Sequence, residues 1–129
     1  MGINPIKFGP YFWGSLHLAC LGGIDPNALK AFVGLYPAVL PCPACGMHFV
    51  EVLQANPLPD SDDPIVLFKW SVDVHNIVNQ RIGKSVQSYD EAFAFWSTLP
   101  AESYKMDISV VLAVVVLLSL FYILFRRLF

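Results

Sequence analysis

From Ile108 to Phe125 the chain reads ISVVLAVVVLLSLFYILF, 18 residues without a charge, closed by Arg126 and Arg127. A helix of that length rises about 27 Å, close to the hydrocarbon thickness of a bilayer. A small domain has no place to hide a helix that is apolar on every face. The run is therefore expected to be a single C-terminal transmembrane helix (108–125) with a short tail at 126–129, and any folded domain must come from residues 1–100, joined by a linker at 101–107. Residues Met1 to Phe8 contain neither a long apolar stretch nor an Arg-rich amphipathic one, so no export signal is expected ahead of the domain. Gly2 does not complete a myristoylation pattern, because Ile6 stands where Ser or Thr is needed.

Charge narrows the function classes. The chain carries 8 basic and 10 acidic residues, and two of the basic ones are Arg126 and Arg127. The remaining acidic balance argues against a nucleic-acid partner.

Proline and glycine punctuation divides the first hundred residues into five helical stretches, none with the period-two alternation of a half-buried strand. The expected class is all-α. The first stretch runs from about Pro10 to Leu21, stopped by Gly22-Gly23, and one face carries Trp13, His17 and Cys20. The second follows Asp25-Pro26, a cap and a first-turn proline, and reaches about Val39. The third begins at Pro41-Cys42-Pro43 and ends near Gln54, before Asn56-Pro57-Leu58-Pro59. The fourth opens at Pro64 and stops at about Ile82, before Gly83. Ser88-Tyr89-Asp90-Glu91 is a capping box that announces a fifth, ending near Pro100. Four or five short helices on tight loops predict an antiparallel bundle.

Three cysteines are present, Cys20, Cys42 and Cys45, too few for a disulfide-stapled secreted scaffold. With Pro43 in the first helical position, Cys42 is the N-cap and Cys45 lies three residues on, on the same face. The positive end of the helix dipole and its unpaired amides stabilise a thiolate there. That is the environment of a redox dithiol, with Cys42 the exposed sulfur and Cys45 the inner one. The same spacing also serves zinc sites, and His17, His48 and His75 could complete one; a plain disulfide staple is the third possibility. The histidines are spread over three helices rather than paired, so no metal site is expected. Cys20 is expected to be a small buried apolar residue.

The fourth helix places His75 and Asn79 at i, i+4 with Asn76 beside them, and Val66, Trp70, Val74, Ile77 and Val78 make its apolar face. Three hydrogen-bonding side chains beside that much apolar surface need partners, from the protein or from a ligand. Trp13, Trp70 and Trp96 lie on three helices, where packing is the ordinary role of tryptophan. Aromatic walls near a dithiol would also suit a planar redox ring.

Three motifs together resemble one family. Gly9-x-x-x-Trp13-x-x-x-His17, then Pro41-Cys42-Pro43-Ala44-Cys45-Gly46-Met47-His48-Phe49, then Trp70-x-x-x-x-His75-Asn76-x-Val78-Asn79 with Gly83-Lys84, resemble the Erv/ALR FAD-linked sulfhydryl oxidases, most closely the minimal versions of large DNA viruses. The likeness covers about Lys7 to Leu99 and implies a four-helix bundle with a short fifth helix, usually a homodimer, that acts as an FAD-dependent thiol oxidase. Cys42 would then exchange disulfides with a protein dithiol, directly on a client or on a thioredoxin-like carrier. Cys45 would face the flavin, and molecular oxygen would take the electrons and become hydrogen peroxide. By the same resemblance Trp13, His17, His48, His75, Asn76, Asn79 and Lys84 match flavin-contacting positions, Trp96 closes the adenine end, and Gly9 and Trp70 belong to the binding motifs. The chain departs from the family pattern at Pro10, where many members carry Arg, and in lacking a C-terminal structural disulfide and a second shuttle pair.

Two arguments about the membrane side conflict. Arg126 and Arg127 would leave the C-terminus in the cytosol by the positive-inside rule, whereas a span this late emerges after the domain is made. The expectation is a domain facing the cytosol, or a virion interior, with the tail crossing the bilayer.

Overall fold

The computed structural model describes residues 3–98, where it contains five α-helices and no strand. The predicted linker, membrane helix and tail lie outside the described residues. Among the described residues no helix is long and apolar enough to cross a membrane.

The helices are α1 (Pro5–Leu21), α2 (Pro26–Val39), α3 (Pro43–Ala55), α4 (Pro64–Arg81) and α5 (Tyr89–Ser97). Four open in the same way, with a capping side chain followed by proline at the first position. Asp25 accepts from the amides of Asn27 and Ala28, and Asp63 from that of Ile65. A proline there gives up an amide that has no helical partner and brings its φ already set. The fifth helix starts at the expected capping box, with Ser88 and Glu91 each accepting from the other's backbone amide.

The first helix differs from expectation. It starts five residues earlier than Pro10, because Asn4 caps it by accepting the amide of Ile6, and Pro5 takes the first position. Pro10 is interior. Helix α4 ends as predicted: Gly83 has φ +71°, the Gly83 amide donates to Gln80 O and the Lys84 amide to Asn79 O. This is a Schellman turn, and it folds Lys84 back beside the helix.

Helix α1 packs along α4 and α2 against α3, while α3 also meets α4 and α5 meets both α1 and α4. Leu16, Leu29 and Phe68 are almost fully buried where these faces meet, and Tyr36, Phe49, Trp70 and Val74 complete the core. Burying one such side chain contributes about 2 kcal/mol. The Arg81–Glu51 ion pair, at 3.1 Å with both side chains exposed, contributes under about 1 kcal/mol. Packing, not surface charge, therefore holds the bundle. One residue of the predicted apolar face of α4 points away from the core: Val66 is exposed, and Leu67 and Phe68 take the inward positions.

Two glycines are required by close approach. A Cβ on Gly46 would collide with the backbone carbonyl of Pro37, and one on Gly14 would meet the Trp96 ring at 2.9 Å. The first contact lets the start of α3 rest on the end of α2. The second lets α5 lie against α1.

Candidate active site

Cys42 caps α3 and forms a disulfide with Cys45, on the first turn of the helix. The Cys45 amide donates to Cys42 Sγ at 3.3 Å. Both cysteines are half-buried, so Cys42 is less exposed than an N-cap position suggested.

Beside this corner lies a cavity of about 620 Å³ lined by residues of all five helices and of the turn after α4. Pockets of this size hold cofactors. Cys45 is in its wall; Cys42 is not. Aromatic rings make much of the lining: Phe8, Phe12 and Trp13 from α1, Phe49 from α3, and Phe95 and Trp96 from α5. Trp13 stacks on His75 with ring centroids 4.0 Å apart and planes within 12°, so each ring covers one face of the other.

Of the predicted residues, Gly9, Trp13, Cys45, His48, His75, Asn79, Lys84 and Trp96 line this cavity. His17, Trp70 and Asn76 stand outside the lining, each with a visible task. His17 is fully buried and bonds His75 Nδ1 through Nε2 at 3.0 Å and Ser71 Oγ through Nδ1 at 2.8 Å. The Trp70 indole donates to Asn56 O at 3.0 Å, pinning α4 to the end of α3. Asn76 donates to Gln87 O and accepts the Gln87 amide, a double clip that holds the segment before α5 against α4. That clip brings Gln87 to the cavity edge.

Several lining residues escaped the sequence reading. Arg81 and Gln87 supply polar groups, while Pro10 lines the cavity as a hydrocarbon surface. Arg81 was legible in principle, since a cation in the last turn of a helix is favoured by the dipole. Gln87 carried no local signal.

The electrostatics are distinctive. Burial, and then repulsion between the two rings, lowers the His17 pKa to about 3; burial, and then the Lys84 ammonium, lowers that of His75 to about 4. Both are neutral near pH 7, leaving Lys84 and Arg81 as the cations of the lining. Asn79 is 7% exposed, lines the cavity, and receives no side-chain hydrogen bond from the described residues. Its polar atoms are not sealed in the core but stay accessible, where a ligand can reach them. Among the described residues no group of three His, Cys, Asp or Glu is arranged to hold a metal. Cys20 is fully buried in the core, and burial raises its thiol to about 11, so it is an inert packing residue.

An Erv1/Alr family model matches residues 12–98, from the middle of α1 through the end of α5. The chain belongs to the Erv1/Alr family. A candidate FAD-linked sulfhydryl oxidase of Acanthamoeba polyphaga mimivirus is 34% identical over 98 residues, covering 70% of this chain and 68% of the relative. A second candidate, of Invertebrate iridescent virus 6, is 31% identical over 106 residues, covering 73% of this chain and 96% of the relative. The FAD-linked sulfhydryl oxidase of African swine fever virus is 30% identical over 92 residues, covering 67% and 76%. The matched region of this Erv1/Alr chain contains Cys42, Cys45 and most of the cavity wall.

Proposed function

We propose that the protein is an FAD-linked sulfhydryl oxidase that makes disulfide bonds in protein dithiols and passes the electrons to oxygen. The observation that carries this reading is that a disulfide at a helix N-terminus is built into the wall of an aromatic cavity through one of its two sulfurs. A zinc adaptor would have no use for the cavity, and a staple would have no use for a sulfur inside it.

The cavity suits FAD by the chemistry of its donor set. Flat faces at Trp13, His75 and Trp96 suit planar rings, Lys84 and Arg81 suit a diphosphate, and the unpaired amide of Asn79 suits a polar ring edge. His48 lies on the cavity-lining side of α3, three residues beyond Cys45. When bound, FAD supplies a two-electron acceptor for the cysteine pair and a route from there to oxygen, which leaves as hydrogen peroxide.

The chain's own residues perform the exchange. A substrate thiolate attacks Cys42 Sγ, the Cys42–Cys45 bond breaks, and Cys45 leaves as a thiolate. The positive end of the α3 dipole favours thiolate charge on the pair, and the Cys45 amide already donates to Cys42 Sγ. The second substrate thiol gives up its proton and attacks the mixed disulfide. Substrate leaves oxidised, and its two electrons stay on Cys42 and Cys45, whose inner sulfur faces the cavity.

The partner is a protein dithiol, carried on a thioredoxin-like protein or on a client. Exposed apolar side chains on α1 and α2, such as Tyr11, Leu35 and Val39, support a homodimer. The uncharged run at 108–125 supports a single membrane anchor, with the domain facing the cytosol or a virion interior.

The test is direct. The purified chain reconstituted with FAD is expected to be yellow and to consume oxygen when given a small dithiol. A colourless protein that ignores excess FAD, or a flavoprotein inert to dithiols, overturns the proposal.

A further inference from the structure

The hydrogen-bond chain between α1 and α4 favours one arrangement of protons. Ser71 Oγ lies 2.6 Å from Phe68 O, and a carbonyl oxygen can only accept, so the single hydroxyl proton is spent there. The 2.8 Å contact from His17 Nδ1 to Ser71 Oγ then needs a proton that only His17 can provide. His17 is fully buried, a position that disfavours its cation, so Nε2 keeps a lone pair. The 3.0 Å contact from that lone pair to His75 Nδ1 requires His75 to donate. Turning the His17 ring over would replace both of its hydrogen bonds with carbon contacts, which fixes its orientation as well.

We infer that Ser71 is a positioning residue: through His17 it holds His75 in the Nδ1–H tautomer, so that His75 Nε2 meets a ligand as a hydrogen-bond acceptor. Nε2 makes no hydrogen bond to the described residues, and the imidazole is part of the cavity wall, stacked on Trp13. A neutral acceptor selects for an N–H or O–H group and rejects a phosphate oxygen, which has no proton to give near neutral pH. Recognition is thereby divided. His75 takes a hydroxyl, amine or imide of the ligand, and the phosphates fall to Lys84 and Arg81. Ser71 touches none of these groups and acts across two rings. The identity of the ligand rests on the FAD reading above; the tautomer does not.

The experiment uses the full chain in detergent, free of flavin, with its three histidines labelled with nitrogen-15. Long-range proton–nitrogen correlation near neutral pH reads each tautomer. In the wild type, His17 and His75 are expected to show protonated Nδ1 and unprotonated Nε2. Ser71→Ala leaves the His17 Nδ1–H without an acceptor, so both rings are expected to switch and His75 then presents a donor to the cavity, weakening FAD binding about tenfold. Ser71→Thr keeps the hydroxyl and is expected to restore tautomer and affinity together. A wild-type His75 protonated at Nε2 overturns the inference, and that spectrum decides alone if Ser71→Ala does not fold. Unchanged tautomers in a folded Ser71→Ala overturn it too, even if FAD affinity drops. A wild type that binds no FAD sinks the cofactor reading instead, while the spectra still decide the relay.

Discussion

The two polar parts of the site are built on opposite plans. At the α2–α3 corner, Cys42, Pro43, Cys45 and Gly46 are consecutive or nearly so, and helix geometry alone brings the sulfurs together. At the α1–α4 seam, Ser71 and His75 meet His17 from 54 and 58 residues away, and nothing local dictates their contact. Chemistry that depends on one helix turn tolerates changes elsewhere, whereas a tautomer set through packed side chains fails whenever the packing shifts. The redox function should therefore break at single atoms, and the binding function by degrees.

The largest effect sharpens the first half of that contrast. Cys42→Ser and Cys45→Ser are each expected to abolish dithiol-driven oxygen uptake, since neither remaining sulfur can form the disulfide. Cys20→Ser, at a buried position away from the cavity, should retain near wild-type turnover. Appreciable uptake in Cys45→Ser would break the assignment of the inner sulfur.

Gly46→Ala tests whether the corner is as local as it looks. A methyl group there meets the Pro37 carbonyl, which is backbone and cannot swing aside. A loss of about 1–3 kcal/mol in a urea titration is expected. No loss would mean that α2 and α3 separate freely.

Acid should injure the seam first. For His17 and His75 the folded pKa lies below the ordinary 6.5, so the unfolded chain binds more protons as the pH falls below that value. Their contribution to stability is complete above about pH 6.5 and is lost progressively toward their folded values. The melting temperature is expected to fall between about pH 6.5 and 5, before carboxylates titrate, and the fall should shrink in His75→Gln. A flat profile there would indicate histidines that are not buried as neutral rings.

For the cavity itself, His75→Ala and Asn79→Ala should each weaken FAD binding by roughly 1–3 kcal/mol in a fluorescence titration. Unchanged affinity in both variants would move the ligand elsewhere. The smallest effect belongs to the surface: a double-mutant cycle on Arg81 and Glu51 should return a coupling below about 1 kcal/mol in stability. A larger coupling would show that the pair orders the cavity edge.

Much of this architecture was legible without coordinates because its signals are local. Capping residues followed by proline mark the starts of α2, α3 and α4, and a serine with a glutamate three residues later marks α5, since unpaired amides are satisfied by neighbours in sequence. The start of α1 was misread because two prolines compete for the first position, and Asn4 decides between them. Val66 was misread because the continuous apolar stretch Pro64–Phe68 does not say which of its residues face inward.

The sequence by itself determined the helices, the redox pair at a helix tip and the family motifs, all set by contacts within about four residues or by side-chain type. Tertiary structure alone decided that Trp70 and Asn76 brace the cavity from outside, and that His17 reaches it only through His75. Periodicity can place a side chain on a face, but which atom of that face meets which partner depends on how helices distant in sequence pack together. The proton on a histidine depends on that partner.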